Sequence, residues 1–336
     1  MLRGGTIIQA MVLREIAQRI SGNTGIDVSR DRNIVLTGPG RSGTTLTCYL
    51  LNKLPNVVAL SEAIAPNQYA KRMPDTEAVA DGIEEFYRDM RRSALLRGTV
   101  ISKHVGGKVP DNTKGMKEGV RQRIAEKGWI EVDKDLSPDF YLAIKQPGMF
   151  TALLPTLVKR FPCFAIVRNP LAIMLSTSTL QQPEVGHTSS SQKVRAIMRN
   201  PRGIMRSKIG RKAPVAKVRY DPQLGERLEK HKQEEGVDKI GQRLLRLNYS
   251  FERYQQFLPE SHVLRYEDIC SSRGKALQVI VPDAGSFDEP LEIKNLNPLY
   301  PREKVLSLGE RLLESEGAYW NFYTRESVRE IIEGFE

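Results

Sequence analysis

Short, wholly apolar runs alternate along this chain with longer stretches in which apolar positions recur every three or four residues. Ile34-Val-Leu36 and Cys163-Phe-Ala-Ile-Val167 have strand length and no polar face, as strands covered on both sides of a sheet require. Leu142-Ala-Ile-Lys145 and Val263-Leu-Arg265 read as further strand ends. After the first run, Leu46, Tyr49, Leu50 and Leu54 fall at helical spacing. After the second, Asn169 is a good N-cap and Pro170 a natural first residue for a helix over Leu171–Ser178. A longer helix is predicted over Gln242–Leu258, with Leu244, Leu245, Leu247, Phe251, Tyr254 and Leu258 as its core-facing stripe. Residues 65–140 read as helices with interrupting loops: Glu84–Arg92 is amphipathic, while Val105–Lys108 and Pro110–Thr113 have turn composition. No internal repeat is seen. Strands alternating with helices predict an α/β fold, a central parallel sheet flanked by helices.

Composition adds a frame. The 336 residues are 40% hydrophobic, enough to pack one large domain, and carry a formal net charge of +11. A single domain is expected over 1–336, with residues 1–30 as a helical extension. Three scattered cysteines, Cys48, Cys163 and Cys270, lack zinc-site spacing and favour a reducing compartment. The apolar run near Met1 is too short to span a membrane, so a soluble cytoplasmic protein is expected. Residues 185–220 hold ten Lys and Arg and no acid. Within a 185–240 insertion they read as a lid or acceptor gate, with a patch for an acidic acceptor, a nucleic-acid or anionic-membrane contact and a solvated basic loop as the alternatives. The lack of aromatics before Tyr220 argues against a nucleic-acid contact.

Candidate chemistry begins at Thr37-Gly-Pro-Gly-Arg-Ser-Gly-Thr-Thr-Leu46. Gly38, Gly40 and Gly43 permit the close backbone approach with which several N–H groups converge on one anion, and the following helix adds its positive end. The glycine spacing is that of a nucleoside triphosphate loop, yet Thr44 stands where that loop has lysine, and Arg41 supplies the cation instead. The second apolar strand ends in Arg168, where a magnesium-dependent phosphate enzyme would place an aspartate. Both features point to an anion other than a metal-bound triphosphate.

Together these segments resemble the sulfotransferase superfamily that uses 3′-phosphoadenosine 5′-phosphosulfate. Arg41-Ser-Gly-Thr-Thr-Leu46 is similar to its phosphosulfate loop. Arg168-Asn-Pro with Ser176 eight positions on is similar to its 3′-phosphate motif, and Val263-Leu-Arg-Tyr-Glu-Asp-Ile269 to its L-R-Y-E-D-L strand end. The three motifs span roughly residues 33–270 in the family's order. The resemblance implies a phosphate-loop-like three-layer fold and sulfuryl transfer to an acceptor hydroxyl on a glycan, lipid, peptide or small molecule, without a metal. It implies that Arg41, Ser42, Gly43, Thr44 and Thr45 hold the phosphosulfate, Arg168 and Ser176 the 3′-phosphate, and that Tyr266 lies beside the nucleotide. Counting twenty-one residues from Arg41 reaches Glu62, the catalytic base of some members; His104 is the competing base, and Lys145 a candidate contact to the sulfuryl group or acceptor. The family's R-K-G clamp is absent before Gly317–Thr324, which leaves Arg302, Lys304 and Arg311 as candidate substitutes. A phosphate-loop kinase, a nucleotide-binding regulator and a non-catalytic protein on the same fold remain alternative readings.

Overall fold

The computed structural model describes residues 32–65, 67–117, 120–179, 220–236 and 238–335. The expected N-terminal extension and nearly all of the basic 185–220 segment lie outside them.

The first strand, β1 (Asn33–Thr37), is buried throughout and runs into the glycine turn and α1 (Thr44–Leu51). β2 (Val57–Ser61) follows, then α2 (Thr76–Arg97), whose N-cap Asp75 accepts from Ala78 N–H and whose C-terminal Gly98 adopts φ 62°. β3 (Thr99–His104), β4 (Lys114–Lys117), β5 (Val120–Arg123) and β6 (Glu126–Glu131) come next. They replace the helices expected over this stretch. Val100, between half-buried neighbours, and Ile130, between exposed ones, are buried, which suits a strand with one covered face. Two antiparallel pairs result, β3 with β6 and β4 with β5.

The remainder restores the α/β rhythm: β7 (Tyr141–Lys145), α3 (Met149–Leu157), β8 (Cys163–Val167) and α4 (Pro170–Ser178), then α5 (Pro222–Glu235) and α6 (Lys239–Phe257). β9 (Val263–Arg265), α7 (Tyr266–Ser271), α8 (Arg302–Leu313) and α9 (Arg325–Glu333) complete the chain. The segment 222–235, within the expected 185–240 lid or insertion, is a helix tied to α6 through Arg227–Glu252 at 2.6 Å.

Five strands form one parallel sheet in the order β2-β7-β1-β8-β9, flanked by helices. The parallel register brings the carboxyl ends of all five to one edge, where an open α/β sheet binds ligands. That edge carries Glu62 after β2, Lys145 at the end of β7, Gly38 after β1, Arg168 after β8 and Tyr266 after β9. Beneath it, Thr37 Oγ1, Thr151 Oγ1 and Tyr254 OH form a buried chain, with contacts of 2.7 and 2.9 Å, that fastens α3 and α6 to β1. Phe251 and Tyr254, from the predicted stripe of α6, are core residues. All three cysteines are buried free thiols, and burial raises the Cys48 and Cys270 thiols above their ordinary value. Among the described residues no helix is long and apolar enough to cross a membrane.

Candidate functional site

Two glycines give the turn after β1 its shape. A Cβ on Gly38 would lie 2.2 Å from the Ile166 carbonyl, and one on Gly43, at φ 94°, would lie 2.6 Å from the Tyr266 ring. Neither position has room for a side chain, so backbone and ring come into direct contact. Gly43 is also the N-cap of α1 and supplies no side-chain cap, so the first-turn N–H groups of Thr44 and Thr45 face the cavity at that end. Ser42 shapes the turn itself. Its buried hydroxyl donates to the Pro39 carbonyl at 2.8 Å and closes the turn from inside.

Among the described residues three non-glycine positions have left-handed backbones, and two of them are predicted site residues: Arg41 at φ 74° and Glu62 at φ 47°. Such conformations cost of order 1–2 kcal/mol each and persist where surrounding contacts enforce them. Arg41 is held from both ends. Its Nε donates to Ser176 Oγ at 3.0 Å, its Nη1 to Asn112 Oδ1 at 3.2 Å, and its carbonyl accepts from Arg168 Nη1 at 3.2 Å. The two arginine motifs, separated by 127 residues in sequence, therefore meet directly.

Arg168 is buried, its guanidinium 4.6 Å from the centroid of the Tyr266 ring. Nε donates to Asn295 Oδ1 at 2.8 Å and Nη2 to the Lys294 carbonyl. Glu267 anchors this arrangement from behind, accepting from Asn169 N at 3.0 Å, Asn295 Nδ2 at 2.8 Å and Tyr323 OH at 2.8 Å. Tyr266 OH donates to the Glu292 carbonyl and accepts from Lys294 N, each at 3.1 Å. Beside this network lies a cavity of about 310 Å³, within the range of small-molecule sites. Arg41, Gly43, Thr44, Thr45, Arg168, Ser176 and Tyr266 all line it.

Glu62 forms the neighbouring cluster. Oε1 accepts from Lys145 Nζ at 3.0 Å, Oε2 from Lys103 Nζ, and Lys145 Nζ also reaches Thr45 Oγ1 at 3.3 Å. Partial burial alone would raise the Glu62 carboxyl, but the Lys145 charge, followed by the hydrogen bond and charge of Lys103, holds it down at about 2. It is ionised throughout the neutral range and a weak base in this arrangement. Lys145 is 3% exposed, so it faces the cluster and is no solvated strand-end lysine.

His104 stands apart. Strand alternation puts it on the face of β3 opposite Lys103; its ring lies against Gly128 and its Nδ1 accepts from Gly107 N at 3.2 Å. Nor do Arg302, Lys304 and Arg311 reach the cavity. Its far wall comes from Pro290–Tyr300, with Leu291, Glu292, Lys294 and Asn297, and its near rim from Asp111 and Asn112. The glycine turn, Arg168, Ser176 and Tyr266 were visible in sequence; the 290–300 loop has no motif to announce it. A second cavity, about 540 Å³, lies beyond Pro39–Gly40 among Gln146, Met149, Leu224, Leu228 and Tyr249.

Compared with models of known families, with curated proteins and with solved structures, the chain matches none.

Proposed function

We propose that this protein transfers a sulfuryl group from 3′-phosphoadenosine 5′-phosphosulfate to an acceptor hydroxyl. The observation that carries the reading is the convergence of Arg41, Arg168 and Ser176 on one cavity at the carboxyl edge of the sheet. Two guanidiniums, a helix N-terminus and glycine-spaced amides form a site for two anionic groups. Arg168 stands at the strand end where a phosphate-loop kinase keeps its metal-holding aspartate, which favours this reading over the kinase. A phosphate-loop-like arrangement of the β1–α1 turn is part of the same proposal.

In the transfer, the acceptor oxygen attacks sulfur as the bond from sulfur to the bridging oxygen breaks, and adenosine 3′,5′-bisphosphate leaves with the electron pair. Negative charge grows on the bridging oxygen beside the turn, where Arg41 and the amides of α1 stabilise it; one such donor is worth roughly 10²–10³ in rate. Lys145, between Thr45 and Glu62, is placed to meet a sulfuryl oxygen. The acceptor proton passes to Glu62. A carboxylate held near 2 suits this role only late in the reaction, once the forming S–O bond has acidified the hydroxyl.

The test is selective binding. Adenosine 3′,5′-bisphosphate should raise the melting temperature well above the shift given by adenosine 5′-monophosphate. Replacing Ser176 by Ala should narrow that difference, and equal shifts in the wild-type protein would remove the 3′-phosphate assignment.

A further inference from the structure

The β3/β6 ribbon presents an unusual outer face. Alternation sets Ile101 and Lys103 of β3 beside their cross-strand partners Trp129 and Lys127 of β6, with buried Val100 and Ile130 on the other side. Trp129 is 54% exposed, and the Arg97 guanidinium lies 5.5 Å from its ring centroid. Lys103 runs from this face to Glu62. Lys114 and Arg123, paired across β4 and β5, add charge nearby. Glu131, opposite Thr99, is the acid at the far end of the face.

Lys114, Arg123, Lys127 and Trp129 do not line the 310 Å³ cavity, so a nucleotide held there leaves these groups for another ligand, while Lys103 is engaged by Glu62. Their crowding has an electrostatic cost: burial first, then Arg123, Arg41 and Lys103, lowers Lys114, while burial and Lys103 lower Lys127. An anion would relieve that repulsion. Charge alone does not account for an exposed indole two residues from Lys127, on the same face. A sugar ring, whose C–H face stacks on an aromatic plane while its acidic groups project sideways, uses both features.

We infer that this face binds an acidic oligosaccharide, with a sugar ring on Trp129, a carboxylate on Lys127, and a hydroxyl led toward Glu62. Its role as the sulfuryl acceptor rests on the transfer reading; its binding does not.

The test uses the full chain and three defined probes in low-salt titrations: tetragalacturonate, maltotetraose and tetraglutamate. Tetragalacturonate should bind at least about tenfold more tightly than neutral maltotetraose, since charge pairing selects between them. Lys127→Ala and Trp129→Ala, both at exposed positions, should each weaken it about fivefold or more, as central contacts do. Affinity for adenosine 3′,5′-bisphosphate, measured in parallel, should not change. Absence of uronate binding, or binding indifferent to Trp129, overturns the inference. Equal binding of tetraglutamate with no dependence on Trp129 overturns it in favour of an acidic peptide. If uronate binding tracks Trp129 but the bisphosphate does not bind, the saccharide site stands and the acceptor role falls.

Discussion

Arg168 Nη1 donates to the main-chain carbonyl of Arg41 at 3.2 Å, so the side chain of one motif holds the left-handed backbone of the other. The two arginine motifs are thereby made one structural unit. Removing Arg168 should loosen the turn as well as delete a cation.

Arg168→Ala should accordingly weaken adenosine 3′,5′-bisphosphate binding by about 10- to 100-fold, the range for charge-assisted hydrogen bonds. Arg168→Lys should restore little, because one ammonium cannot reproduce a planar fork reaching Asn295, Lys294 and Arg41 together. Calorimetry of the two variants checks this, and full recovery by lysine would show that charge alone matters.

Gly43→Ala combines a backbone at φ 94° with a Cβ 2.6 Å from the Tyr266 ring. A loss of about 1–3 kcal/mol in denaturant unfolding is expected, with weaker anion binding. An unchanged midpoint would mean that the turn and ring are not packed as described.

Glu62 links stability to acid. Its folded value of about 2 lies below the ordinary 4.5, so its stabilisation is fully present above 4.5 and is lost as pH falls toward 2. The linked contribution is of order 1–3 kcal/mol. Glu62→Gln should flatten the acid limb of a stability profile, lower stability at neutral pH by leaving Lys145 and Lys103 without their carboxylate, and reduce turnover while keeping bisphosphate binding. Near-normal turnover would exclude Glu62 as the proton acceptor.

Glu267 does not line the cavity, yet its carboxylate holds Asn169 and Asn295, and Asn295 receives Arg168. Glu267→Ala should cost stability and also several-fold bisphosphate affinity, about what one charged hydrogen-bond network partner contributes. A stability loss with unchanged affinity would restrict Glu267 to a structural role.

Much of this site was legible because its signals are local. Cys163–Val167 could only be a buried strand, and the Asn169 cap and Pro170 fix the helix that carries Ser176. Contacts between distant segments were not legible. No pattern in sequence announces that Tyr266 fills the space beside Gly43, that Lys103 reaches Glu62, or that Asn112 meets Arg41. The 99–131 region misled for a related reason. Its strands are short, half exposed and interrupted by glycine turns at Gly106 and Gly107, so pairing and one-sided packing decide their structure over local pattern. Likewise, Arg302, Lys304 and Arg311, the candidate substitutes for the missing clamp, do not line the cavity; its wall comes from 290–300, where the Lys294 carbonyl and Asn295 meet Arg168.

The most direct test of the central claim is calorimetric titration with adenosine 3′,5′-bisphosphate, beside ATP with magnesium. The sulfuryl-transfer reading predicts tight binding of the bisphosphate and weak or no binding of magnesium ATP. Binding of magnesium ATP alone would contradict it and assign the cavity to phosphoryl transfer.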